Sequence, residues 1–111
     1  MRKADFKETP FFQADLARYA ANNPAVEKAY FNFLTMKSER PPLALPRGMR
    51  DHKLNPPLDG FSECHLSGNA CLIYTDKNNI VTLITVVDHD DMMGGKVKAL
   101  AKKIAHLKPP K

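Results

Sequence analysis

The sequence predicts an α+β fold, with helices packed on one face of a small antiparallel sheet, and three observations carry that expectation. Two runs with apolar residues at helical spacing are opened by Thr9-Pro10 and by Asn22-Asn23-Pro24. Three short strand-like runs separated by turn residues follow, over about 61–66, 70–76 and 79–88, with Ile80–Val87 the strongest strand signal in the chain. Gly94-Gly95 then breaks the chain before a lysine-rich stretch with apolar residues every three or four positions. The expected order is β, α, α, β, β, β, α.

Residues 2–8 alternate Lys3, Asp5 and Lys7 with Ala4, Phe6 and Glu8, which predicts a short first strand. Thr9 is expected as the N-cap of a helix and Pro10 as its first residue, because proline's fixed φ suits that position and its missing N–H is unpaired there anyway. Phe12, Leu16, Tyr19 and Ala20 carry that helix to about Ala21. A second helix is expected over 24–38, with Val26, Ala29, Tyr30 and Phe33 on one stripe and Phe31 and Leu34 broadening it, so much of its circumference should be covered. Together they form a helical hairpin. Pro41, Pro42 and Pro46 end helical structure and impose an extended connection, which delivers Arg47, Arg50 and His52 to one place. Asn55-Pro56-Pro57 and Asp59-Gly60 are turn chemistry, and Lys77-Asn78-Asn79 joins the last two strands. Val97, Leu100, Ala101, Ile104 and Leu107 mark the final amphipathic helix.

At 111 residues the chain reads as one domain, 1–111, long enough to bury about two-thirds of its unfolded surface without a disulfide or a metal. It opens without the apolar run of a signal peptide and contains no stretch of about 18 apolar residues. A soluble, cytoplasmic protein with no membrane partner is the expectation. Cys64 and Cys71 fall on neighbouring strands, where a bridge is geometrically allowed, but they read as buried free thiols and lack metal-ligand spacing. The formal charge is +5, with 17 Lys and Arg against 12 Asp and Glu. The excess gathers at Arg47, Arg50 and Lys53, and again at Lys96, Lys98, Lys102, Lys103, Lys108 and Lys111. Such clusters suit nucleic acid or an acidic protein, and the competing reading of the second one is a solvated surface.

The candidate chemistry lies between these clusters. Alternation puts Glu63 and His65 on one face of a strand, and Thr85, Val87 and His89 on one face of another. If those strands share a sheet, His65 and His89 converge and the loop bearing His52 closes over them. Histidine's unperturbed pKa near 6.5 suits such a set to proton transfer. A metal reading, with His65, His89 and Asp88 or Asp91 as ligands, lacks any compact ligand motif. His106 on the final helix reads as an ordinary surface histidine.

These residues carry a resemblance. The segment 50–93, with Asp51-His52-Lys53-Leu54, Gly60-Phe61, Glu63-Cys64-His65, Leu72-Ile73-Tyr74 and a terminal His89, resembles the RelE/ParE superfamily of bacterial type II toxins and specifically its YafQ-like branch. The resemblance implies a RelE-like α+β fold with an extra C-terminal helix. It further implies a ribosome-dependent messenger RNA endonuclease without cofactor or metal, held inactive by a cognate antitoxin in a toxin-antitoxin hetero-oligomer. Cleavage would proceed by attack of a ribose 2′-hydroxyl on the adjacent phosphate. On that reading His52 or His65 is the general base, His89 the general acid, and Glu63, where the family has aspartate, orients a histidine.

The chain departs from the family pattern at three further positions. Thr85 stands where a phosphate-binding arginine is expected, and Asn69 and Ala70 stand where a second aspartate and a tryptophan are expected. Asn69 and Thr85 are therefore grouped with Arg47, Arg50 and Lys53 as RNA- or phosphate-binding candidates. Either Arg47, Arg50 or Lys53 supplies the missing charge, or the protein docks on gyrase, antitoxin or ribosome without cleaving. A third reading is a metal-dependent hydrolase built from His65, His89 and the Asp88, Asp90 and Asp91 cluster.

Overall fold

The computed structural model describes residues 3–108; Arg2 of the expected first strand and Lys111 of the basic cluster lie outside them. The elements are β1 (Asp5–Glu8), α1 (Phe12–Ala20), α2 (Pro24–Ser38), β2 (His52–Lys53), β3 (Ser62–Ser67), β4 (Ala70–Lys77), β5 (Ile80–Asp88) and α3 (Lys96–Ile104). Single 3-10 turns occupy Arg47–Met49, His89–Met92 and Ala105–Leu107. The strands form one sheet in the order β1-β5-β4-β3-β2. Neighbours are antiparallel except β1 and β5, which run parallel, so the sheet is mixed rather than wholly antiparallel. The expected order of elements holds, with β2 added.

Local chemistry explains most of the boundaries. Asn23 caps α2 by accepting a hydrogen bond from the Ala25 N–H at 3.1 Å, and Pro24 fills the first turn. Thr9, by contrast, is no cap. Its N–H donates to the Leu83 carbonyl and its hydroxyl to the Ile84 carbonyl at 2.6 Å, which ties β1 to β5 and delays α1 to Phe12. Asn78 and Asn79 both adopt positive φ, 56° and 66°, which asparagine tolerates and a two-residue hairpin requires.

The sheet is apolar on both faces. The helical hairpin packs Phe12, Leu16, Val26, Tyr30 and Phe33 onto Leu72, Tyr74, Val81, Leu83 and Val86. On the other face Leu100 and Ile104 of α3 pack with Leu58, Phe61, Cys71, Ile73, Ile84 and Val87. The helices therefore lie on both faces rather than one. A bulge makes this possible: Ile73 pairs with Thr85 and Tyr74 with Leu83, leaving Ile84 as the extra residue. Leu83 and Val86 then share the hairpin face, and Ile84 and Val87 the α3 face, although each pair is three residues apart. Phe31, expected to broaden the buried side of α2, turns outward and is 55% exposed, because it lies about 100° around the helix from Tyr30. Lys37 instead continues the inner stripe of Val26, Tyr30 and Phe33.

Cys64 faces the hairpin core and Cys71 the α3 core, so the two thiols sit on opposite sides of the sheet and are free. Among the described residues no helix is long and apolar enough to cross a membrane. Burial pushes the Cys71 thiol from its ordinary 9.0 up to about 12, and raises Cys64 as well. Above pH 9 the unfolded chain releases thiol protons that the folded chain keeps, so the unfolded state binds fewer protons and stability falls as pH rises. Urea titrations should show the midpoint dropping through this range. Neither thiol should react with a thiol reagent at pH 8 until the chain unfolds, and rapid labelling of the folded protein would contradict this packing.

Candidate functional site

The site is built from the sheet outward. β2 is only two residues long, yet its register places His52 directly opposite Glu63 on β3. Alternation along β3 puts His65 on the same face as Glu63, and Cys71 of β4 pairs with His65 across the hairpin. Glu63 is 3% exposed, and its Oε1 lies 3.3 Å from His52 Nε2 and 3.1 Å from His65 Nε2. One buried carboxylate oxygen thus accepts from two imidazoles. The second ring nitrogen of His52, Nδ1, lies 3.1 Å from the Lys53 carbonyl.

His89 arrives from the far end of β5. Its N–H donates to the Asn69 carbonyl at 2.9 Å, which pins it to the β3–β4 turn, and its ring lies 5.5 Å from that of His65, tilted by 52°. Two of the acidic residues around it, Asp88 and Asp91, are occupied by capping. Asp88 accepts from the Asp90 N–H, and Asp91 accepts from the Asp88 N–H, both at 3.1 Å. His52, Glu63, His65 and His89 therefore form a row across one face of the sheet. His106 is exposed on the 3-10 turn after α3.

Beneath the row, Asp51 is held at two points. Its carboxylate accepts from the Tyr74 hydroxyl and pairs with Lys37 Nζ at 2.8 Å, while that ammonium lies 5.2 Å from the centre of the Tyr74 ring. Tyr74 in turn meets Phe33 edge-on at 4.9 Å. Burial, and then the hydrogen bond to Asp51, drive the Tyr74 phenol well above its ordinary 10.0, so it stays a donor. The residue preceding His52 is thereby fixed to α2 and β4.

The basic candidates are distributed unequally. Arg47 and Arg50 are exposed and line, with Ala44, Pro46 and His52, a cleft of about 490 Å³. Lys53 is exposed on the other side of His52, in a cleft of about 670 Å³ that also takes in Phe61, Tyr74 and Lys108. Asn69 enters the site through its backbone, as acceptor for His89. Thr85, expected among the phosphate-binding positions, is sealed: it is 0% exposed and its hydroxyl donates to Asp15 Oδ2 at 2.6 Å. β1 pairs with β5 only as far as Leu83, and the buried Asp15 of α1 meets the strand beyond that point.

Two features went unread in the sequence. Cys71 looked like a core thiol, but its sulfur and donor atoms of Glu63 and His65 lie within 4.8 Å of one another, the convergence a cation requires. The expected ligands Asp88 and Asp91 are not in that group. Counting residues back across the Gly68-Asn69 turn pairs Cys71 with Leu66, and only the irregularity between His65 and Ser67 sets Cys71 opposite His65. The Lys37–Asp51–Tyr74 contact was also missed, although Lys37 stands at helical spacing from Val26, Tyr30 and Phe33.

Residues 4–94 match the model of the bacterial toxin of type II toxin-antitoxin systems, YafQ. The chain belongs to the YafQ family. The solved structure of YafQ from E. coli strain BL21(DE3) is similar over 83% of this chain and 100% of its own, with TM-score 0.63 and 21% identity. YafQ in the E. coli DinJ-YafQ complex matches with TM-score 0.65 and 18% identity, over 83% of this chain and 99% of that one. A metal-bound toxin from Helicobacter pylori gives 0.60 and 24%, over 81% and 99%. At these identities the likeness is one of fold, and no curated protein matches in sequence. As a YafQ-family member the chain is a type II toxin-antitoxin toxin, and α3 begins beyond the matched residues.

Replacing Thr85 with valine keeps its volume but leaves the buried Asp15 carboxylate without its short hydrogen bond, since Arg18 approaches only to 3.8 Å. The variant should lose about 1–3 kcal/mol of stability in chemical denaturation. No loss would show that the Asp15 contact is immaterial.

Proposed function

We propose that this toxin is a ribosome-dependent messenger RNA endonuclease that cleaves by attack of a ribose 2′-hydroxyl on the adjacent phosphate. The observation that carries the reading is the Glu63–His65 hydrogen bond beside the His89 ring. With Nε2–H donating to Glu63, His65 presents the lone pair of Nδ1 outward, and Glu63 steadies the charge that forms when that nitrogen takes the 2′-hydroxyl proton. His65 is accordingly the better placed base. Both ring nitrogens of His52 face acceptors, the Lys53 carbonyl and Glu63, so His52 is the less well placed base. His89, with no hydrogen bond to its ring among the described residues, is free to protonate the leaving 5′-oxygen.

The phosphorane-like transition state needs positive charge, which Thr85 does not supply. Arg47 and Arg50 share a cleft with His52, and with Lys53 they are the proposed phosphate contacts. Asn69 is proposed to act only by fixing His89. A cognate antitoxin is the proposed protein partner, in a hetero-oligomer: the E. coli relative forms a complex with DinJ, and a Staphylococcus aureus structure of similar fold is a YoeB-YefM complex. A ribosomal substrate places the protein in the cytoplasm.

Expression of the wild-type chain should arrest growth and translation. His89→Ala should restore growth and lower cleavage by about 10²–10⁴-fold, the usual worth of one acid-base group, while the thermal melt stays unchanged. Undiminished cleavage would remove His89 from the mechanism. Growth arrest that survives alanine at His52, His65 and His89 together would favour docking without cleavage.

A further inference from the structure

The residues that match the YafQ family end at 94, and α3 starts at Lys96. This added helix follows the 3-10 turn opened by His89 and packs on it, while Leu100 and Ile104 rest on Cys71, Ile73, Ile84 and Val87. Cys71 and Ile73 pair with His65 and Glu63, so α3 lies on the sheet face that carries the histidine row. Arg47 and Arg50 flank the His52 end of that row, and α3 flanks the His89 end.

The outward side of α3 is cationic and otherwise small. Lys96, Lys98, Ala99, Lys102 and Lys103 are exposed, and no acidic residue occurs from 96 to 108. Lys103 sits over the Phe11 ring at 4.6 Å and Lys108 pairs with Asp59 at 2.8 Å. Lys96, Lys98 and Lys102 have no carboxylate partner among the described residues. A protein partner would need aromatic or aliphatic anchors, and lysine is depleted from interface cores. The exposed large apolar side chains of the described residues, Phe31, Leu43 and Met93, all lie outside α3. Lys96 shares a cleft with Asp15 and Asp91 without pairing to either, and Lys98 and Lys102 lie outside that cleft. Such unpaired ammonium groups fit a polyanion whose charges repeat along a flexible backbone.

We propose that α3 is an RNA-backbone-binding element, in which Lys98 and Lys102, four residues apart on one side of the helix, and Lys96 take phosphates of the strand held over the histidines. This rests on the endonuclease reading only for the identity of that strand. A phosphate run would then be gripped at both ends of the row, by arginines at one and by lysines at the other. The scissile phosphate is held between them.

Binding of a single-stranded 2′-O-methyl RNA oligonucleotide, measured against salt concentration, tests this without any cleavage step. Each phosphate contact to a single strand contributes about 0.7 to the log–log salt slope. Lys98→Gln/Lys102→Gln should lower the slope by about 1.4, with an unchanged thermal melt. Lys7→Gln/Lys28→Gln, the same charge change on β1 and α2, should leave it at the wild-type value. A wild-type slope in the α3 variant, an equal drop in the control, or no wild-type binding at low salt would each overturn the proposal. So would a variant that keeps the RNA slope but loses an acidic antitoxin. Loss of cleavage in the His89 variant leaves this readout untouched, so the two claims fail separately.

Discussion

A buried carboxylate has to be paired, and the pairing of Glu63 organises this molecule. At 3% exposure the Glu63 charge is costly unless hydrogen bonds replace its water, and it receives them from His52 on one side and His65 on the other. β2, too short to hold itself by backbone bonds alone, is thereby pinned to β3 through side chains. Asp51 secures the same segment from beneath through Tyr74 and Lys37. The proline-rich connection that precedes it ends at a fixed point, and the arginines it carries stand beside the histidine row rather than being free to wander.

The second constraint is a sheet that is apolar on both faces. One helical hairpin covers one face, and burial of Ile73, Ile84 and Val87 demands a cover for the other. In this chain α3 and the 54–61 segment provide it, with Lys108 closing over Gly60 and Asp59. The cover and the histidine row share a face, so the element that completes the core also sets the border of the site. The bulge at Ile84 reconciles the two layers by switching the alternation of β5 partway along.

Much of this was legible in the sequence where one local signal decided the outcome. Asn23-Pro24 fixed the start of α2, the uninterrupted Ile80–Val87 run marked β5, and the i, i+2 relation of Glu63 and His65 put them on one face. What escaped depended on contacts across the chain. Thr9 looked like a cap and became a link to β5; a two-residue β2 carries no period to detect; and Thr85 turned inward to Asp15. The run of buried residues in β5 was itself the sign that both faces are covered, since a strand open on one side alternates. Lys37 on the inner stripe signalled a buried partner, but only the fold could name Asp51.

The chemistry of the cut ends tests the central claim most directly, because it reports which oxygen attacked. On the proposed mechanism, transfer to the ribose 2′-hydroxyl with His65 and His89 as base and acid would leave a 2′,3′-cyclic phosphate on one fragment and a 5′-hydroxyl on the other. Mass spectrometry of messenger RNA cut on ribosomes by the purified toxin should find those ends, and no cut where the attacking ribose is replaced by deoxyribose. Fragments ending in a 3′-hydroxyl and a 5′-phosphate, formed equally well at deoxyribose, would contradict it.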